Sequence, residues 1–205
     1  IGKAYRGAYN NTNAPTLAAL AIEAAVARSG ASKDQIDYVI MRAALQQGTT
    51  GGNIGRLSAM AAGLPTTVSG MSIDRQCSSG MMAIATAAKQ IMYDGMDIVI
   101  GGGVESISMV QNQNMNTFQM VDKKLTAVHK DVYMPMLQTA EIVSKRYNIS
   151  KEQQDAYGYP SQMRTAAAQE KGYLDDEIIP INTFKAIINK ETKEMTFEEV
   201  SLAKD

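Results

Sequence analysis

The sequence predicts an α/β fold, and three observations carry that prediction. Short apolar or β-branched runs at residues 38–41, 66–73 and 97–100 read as strands. Ala-containing apolar stretches at residues 15–29, 53–62 and 78–93 separate them and are long enough for helices. Glycines close these stretches, at Gly30, Gly63 and Gly95. Strands that alternate with helices in this way build parallel βαβ units.

Each element has a local reason. In the first helix Leu17, Leu20, Ile22, Ala24 and Val26 thicken one face, Thr12 or Asn13 can cap it, and Pro15 fits the first turn. Tyr38-Val39-Ile40-Met41 is a short apolar run, as expected of a buried strand. A glycine-rich loop follows, and Asn53 stands where it can cap the second helix. The third helix is apolar on nearly every face (Met81, Met82, Ile84, Ala85, Ala87, Ala88), which predicts that it is buried. The strand at 97–100 runs into Gly101-Gly102-Gly103.

After Ser108 the character changes. Residues 111–120 are polar and patternless and read as loop. Helices are expected at 138–147 and 150–171, the second opened by a Ser150–Gln153 capping box. Gly158 and Pro160 should kink that helix or end its first part. Residues 177–181 and 184–188 read as a strand pair. The expected division is therefore residues 1–108, an α/β half-domain, and residues 109–205, a second region.

Composition removes several function classes. Twenty Lys+Arg against 21 Asp+Glu leave a formal charge of −1, so there is no field for nucleic acid or for a polybasic membrane contact. No apolar run approaches the roughly 18 residues of a membrane span. Cys77 is the only cysteine and His129 the only histidine, so no intrachain disulfide and no Cys- or His-rich metal site is expected. Fourteen Met and no Trp read as core filler.

The chemistry concentrates at Ser72-Ile73-Asp74-Arg75-Gln76-Cys77-Ser78-Ser79-Gly80. A strand ends, a tight turn follows, and Cys77 stands where the next helix begins. The N–H groups of a first helical turn lack intrahelical partners and carry partial positive charge, which favours a thiolate there. Small residues at 78–80 let a substrate approach closely. The competing reading is a packed structural thiol.

At these residues the sequence resembles the thiolases, the family of acetyl-CoA acetyltransferases and 3-ketoacyl-CoA thiolases. Asp74-Arg75-Gln76-Cys77-Ser78-Ser79-Gly80 matches the family's Asn-or-Asp, Arg, Gln, Cys, small, Ser, Gly run. The likeness continues in Gln46 to Arg56, in Asp97 to Ser108 with its Gly-Gly-x-Glu-Ser sequence, and in Thr139 to Tyr157. One departure is Leu137, where the family's Met-Gly-x-Thr-Ala-Glu segment has Gly.

The resemblance implies the thiolase fold: a βαβαβ half-domain over 1–108 and part of an inserted, CoA-binding loop domain over 109–205. It implies that Ile1-Gly2-Lys3 follows an opening strand, so that the chain is an internal slice without that strand. In the family's strand order, 3-2-1-4-5, that strand is central, and its loss leaves a gap or closes its neighbours onto each other. A Gly-His-Pro histidine and a Cys-x-Gly cysteine of the family are also expected elsewhere.

The implied activity is acyl transfer between CoA thioesters through an acyl group on Cys77. No cofactor is expected beyond the CoA thioester substrates. The family's Cys77 N–H equivalent forms half of an oxyanion hole. Met136 is implied to line the acyl and pantetheine tunnel, with generic packing as the alternative. A homodimeric or homotetrameric, cytoplasmic parent is implied, and an isolated chain without turnover. His129 matches no family motif and reads as a surface residue. Glu105 reads as a structural hydrogen-bonding group, and the Lys/Glu-rich stretch from Lys185 to Lys204 as a solvated face. Two alternatives stay open: another thiolase-fold condensing enzyme, such as a ketoacyl synthase or hydroxymethylglutaryl-CoA synthase, and a non-catalytic chain that binds acyl groups or a partner.

Overall fold

The first strand, β1 (Tyr38–Arg42), organises the chain. In the computed structural model, which describes residues 2, 3 and 5–204, β1 lies between β2 (Ser69–Ile73) and β3 (Val99–Gly103), and both pairings are parallel. Val39, Ile40 and Met41 are all buried, because helices cover both faces of the sheet. On one face Val39 and Met41 join residues of α1 (Ala14–Ser29) and α2 (Ile54–Ala61). On the other, Ile40 packs with Ala83 and Ala87 of α3 (Ser79–Tyr93). Ile1, at the head of the Ile1-Gly2-Lys3 match, lies outside the described residues.

The expected helices begin and end close to their predicted bounds. Pro15 sits in the first turn of α1, and Gly30 closes it in the left-handed conformation at φ 74°. Asn53 caps α2, accepting from the Arg56 N–H at 3.0 Å. The fit of α2 on β2 requires glycine at one crossing: a Cβ on Gly55 would lie 2.3 Å from the Met71 carbonyl oxygen.

The strands shift from expectation for identifiable reasons. β2 starts at Ser69 rather than residue 66, because the Arg56 guanidinium takes the Thr66 and Val68 carbonyls. β3 starts at Val99 rather than 97, because the Asp37 carboxylate takes the Asp97 and Ile98 N–H groups. It then continues through the glycines, which pair with Ile40, Met41 and Arg42. Of the two outcomes expected for the neighbours of the family's central strand, the structure has the closed one. Tyr38 through Arg42 pair directly with Val99 through Gly103.

A short α4 (Ile107–Val110) follows β3. Residues 116–177 then form a compact unit of their own. It holds α5 (Lys123–Val128), which the sequence pattern left unassigned, then α6 (Met136–Arg146) and α7 (Lys151–Glu170). Ser150 and Gln153 make the expected capping box. Pro160 does not end α7. Its missing N–H leaves a carbonyl unmatched one turn back, but α7 has no buried residue, so water can serve that carbonyl.

The strand pair near the C-terminus is also redrawn. β4 (Ile181–Ile188) is one strand of eight residues, antiparallel to β5 (Met195–Leu202). The reversal falls at residues 189–194, where the Asn189 carbonyl side chain accepts from the Glu191 and Thr192 N–H groups. This hairpin belongs to the first unit, residues 1–115 with 178–205, and not with the helices before it. Asn10 explains the grouping: it donates to the Ala186 carbonyl at 2.7 Å and accepts from the Ala186 N–H at 2.9 Å. The compact units thus divide the chain differently from the expected 1–108 and 109–205.

Candidate active site around Cys77

In a parallel sheet the carboxyl ends of all strands share one edge, where open α/β sheets take their ligands. The turn after β2 lies on that edge and carries Cys77. Cys77 stands in the one-turn helix Gln76–Ser78, directly before α3, and it is exposed. The expected location at a helix start is therefore met to within a turn.

The expected burial is not. In α3 only Ser79, Ala83 and Ala87 are buried, while Met81 is 77% and Ile84 64% exposed. The inner face of α3 rests on β1 and β3, and the outer face has no cover within this unit. An all-round apolar helix is buried only where two neighbours exist to bury it.

Local hydrogen bonds shape the turn. Asp74 Oδ1 accepts from the Gln76 N–H at 2.7 Å. Ser79 Oγ accepts from the Arg75 N–H at 2.6 Å and donates to the Gln76 carbonyl at 2.6 Å. Gln76 itself is left-handed at φ 50°, a conformation costly for a residue with a side chain. Sequence reading took Ser79 as a small residue that lets substrate approach. Its buried hydroxyl and the Asp74 carboxylate were missed as turn-forming groups. The available signal was the preference of Ser and Asp for local backbone bonds ahead of a helix.

Glu105 acts as a structural group, as expected. Its Oε2 accepts from the Ala44 N–H at 2.8 Å and from Arg42 Nη1 at 3.2 Å, tying the exit of β3 to the exit of β1. Its Oε1 is buried with no partner among the described residues. The Ala43 N–H donates to the Ile73 carbonyl, so the exit of β1 also abuts the root of the Cys77 turn.

Met136 lies in the other unit as the first residue of α6, 77% exposed. It borders a concavity of about 330 Å³ with Thr139, Ala140, Val143, Ser144, Ile149 and Gln154. Cys77 and Met136 are each placed within their own unit. His129 is exposed at the end of α5, in line with the surface reading. No group of three His, Cys, Asp or Glu among the described residues is arranged to hold a metal. No helix among them is long and apolar enough to cross a membrane.

Residues 1–204 match the family model of the thiolase N-terminal domain. This chain belongs to the thiolase family. It is 34% identical to the 3-ketoacyl-CoA thiolase of Bacillus subtilis over 195 residues, covering 95% of this chain and 49% of that protein. It is 37% identical to a beta-ketoadipyl-CoA thiolase of Acinetobacter baylyi over 194 residues, covering 86% and 48%. The crystal structure of the Bacillus anthracis acetyl-CoA acetyltransferase superposes with a TM-score of 0.75 at 32% identity. That match covers 98% of this chain and 51% of the other. The thiolase chain described here thus spans about half the length of the relatives it matches, and its α/β architecture with a parallel sheet is the thiolase one.

Proposed function

We propose that this chain is the nucleophile-bearing part of a thiolase that transfers acyl groups between CoA thioesters, with Cys77 as the acyl carrier. The observation that carries the reading is an exposed cysteine on the turn between the carboxyl end of β2 and the start of α3. The first turn of α3 follows it directly, so the sulfur stands at the carboxyl edge of the sheet, where ligands of open α/β sheets bind.

In the degradative direction the Cys77 thiolate attacks the ketone carbon of a 3-ketoacyl-CoA. The carbon–carbon bond to the acetyl-CoA unit breaks, its electron pair leaves as the acetyl-CoA enolate, and a proton converts that to acetyl-CoA. The acyl group stays on sulfur as a thioester until the thiol of free CoA displaces it, a two-step course with ping-pong kinetics. The enolate and the incoming thiol both need positioned acids or bases, each worth roughly 100- to 10,000-fold. The single histidine, His129, is exposed and belongs to the other compact unit, and this reading takes those groups from outside the chain. Chain 1–205 alone is therefore inactive in turnover in this reading, and it works with groups supplied from outside it. An assembly of two or four copies remains part of the proposal, as does a reducing compartment such as the cytoplasm, which suits an exposed free thiol.

A second reading, a non-catalytic chain that binds a partner, draws on the uncovered apolar face of α3. Two measurements separate these readings. Intact-mass spectrometry after mixing with a reactive acetyl thioester should show one acetyl group, lost in Cys77→Ala; an unchanged mass supports the non-catalytic reading. Thiolytic cleavage of acetoacetyl-CoA, followed by its enolate absorbance, should be undetectable for chain 1–205. Robust turnover that disappears in Cys77→Ala would show that no further acid or base is needed and would overturn the mechanism.

A further inference from the structure

We propose that Ser79 and Asp74 are positioning residues that aim the Cys77 N–H at the carbonyl oxygen of the acyl donor. The proposal rests on the acyl-Cys77 reading above. Ser79 is fully buried, and its hydroxyl donates to the Gln76 carbonyl oxygen at 2.6 Å. The Ser79 backbone N–H donates to the same oxygen. That oxygen belongs to the peptide unit whose other end is the Cys77 N–H. The unit is planar and trans, so its N–H points opposite to its C=O. Two donors that draw the carbonyl toward buried Ser79 therefore turn the Cys77 N–H away from Ser79, and Cys77 itself is exposed. That N–H donates to no group among the described residues.

The same two donors polarise the peptide, and hydrogen bonds in series strengthen one another. The Cys77 N–H becomes a better donor when its carbonyl end is bonded. The remaining groups of the turn are tied as well. Ser79 Oγ accepts from the Arg75 N–H, and Asp74 Oδ1 accepts from the Gln76 N–H. These bonds hold Gln76 in its left-handed conformation, which the backbone would otherwise leave.

The step affected is the attack on a thioester. The Cys77 thiol gives its proton to solvent, and the thiolate forms a carbon–sulfur bond to the carbonyl carbon. The carbonyl π pair moves to oxygen, where the N–H stabilises it. Collapse of that oxyanion breaks the bond to the departing thiolate. An alkylation by iodoacetamide builds no such oxyanion at the attacked carbon, so it samples the thiolate alone.

The test compares these two reactions on the full chain. Phenyl thioacetate is the acyl donor, because thiophenolate leaves without needing a proton. Both rates are read by intact mass. Ser79→Ala should slow acylation by about 10- to 100-fold, less than the roughly 100- to 1,000-fold of an oxyanion donor removed outright because here the N–H is only misdirected, and leave alkylation within about twofold. Asp74→Ala should slow acylation by a smaller factor, with Asp74→Asn, which keeps the acceptor oxygen, close to wild type. The Asp74 pair decides the matter if Ser79→Ala loses its far-UV circular dichroism. Equal losses in acylation and alkylation would mark a merely structural role and overturn the proposal, as would no loss in either. A wild-type chain alkylated but never acylated at Cys77 would instead overturn the acyl-carrier reading, and this proposal with it.

Discussion

The two faces of the sheet carry the same kind of helix and reach very different states. Under α1 and α2, fifteen buried residues form one continuous cluster, from Ala14 to Val104. Under α3 the buried cluster is Ile40, Ala83 and Ala87 alone. The helices do not differ in composition enough to explain this, since α1 and α3 are both rich in Ala and larger aliphatics. The difference is in layers. α2 rests on β1 and β2 and presses on α1, so apolar groups meet partners on several sides. α3 meets partners only on the side of β1 and β3, and Met81, Ile84 and Met92 project from the other. A pattern of apolar residues states what a helix is able to bury; its neighbours decide what it does bury.

The largest expected break in this contrast is Ile54→Ala. Ile54 is fully buried at the start of α2, and the truncation should cost about 2–5 kcal/mol, read as a lower urea midpoint with an unchanged slope. A cost below about 1 kcal/mol would show that this cluster is loosely packed. Next is Gly55→Ala, whose Cβ would meet the Met71 carbonyl at 2.3 Å. Lifting α2 off β2 should cost about 1–3 kcal/mol, the usual range for overpacking.

By contrast, Ile84→Lys on the outer face of α3 should change stability by no more than about 0.5 kcal/mol and improve solubility. A large destabilisation of chain 1–205 by that change would mean that the outer face is covered after all. The smallest effect lies in the helical unit. A hydrogen bond from the Ser150 side chain, then one from its own backbone N–H, holds the Glu152 carboxyl below its ordinary value of 4.5. The ionised form is the one favoured by folding. Its contribution is thus fully present above about pH 4.5 and fades as pH falls through the lower folded value. An NMR titration of Glu152 in wild type and Ser150→Ala should show the variant titrating at higher pH.

Much of the first unit was legible because its signals are local. Pro15, Gly30 and Asn53 bound their helices by backbone rules that need no tertiary knowledge. The strand bounds were less legible because Arg56 and Asp37 reach across the fold to claim backbone groups near the starts of β2 and β3. Pro160 left two outcomes open, a kink or an end; α7 runs through it, and with no buried residue the helix leaves the freed carbonyl to water. Around the site, the cysteine and its helix start were visible as a pattern. That Ser79 bonds locally was signalled by its residue type, but which carbonyl it takes was not, because that depends on a backbone direction no residue spacing encodes.

The clasp between Asn10 and Ala186 has a consequence for how the chain folds. Its two bonds join residues 176 positions apart. Closing a loop of that length costs about 2.5 kcal/mol more entropy than closing one of ten residues. The hairpin of β4 and β5 is local and zips early, in roughly 1–10 μs for an isolated hairpin, whereas its clasp must wait for the α/β layer to assemble. Undocking should accordingly precede global unfolding, so that the Ala186 amide exchanges with deuterium ahead of the amides of β1, and Asn10→Ala should hasten that exchange without altering the rate in β1.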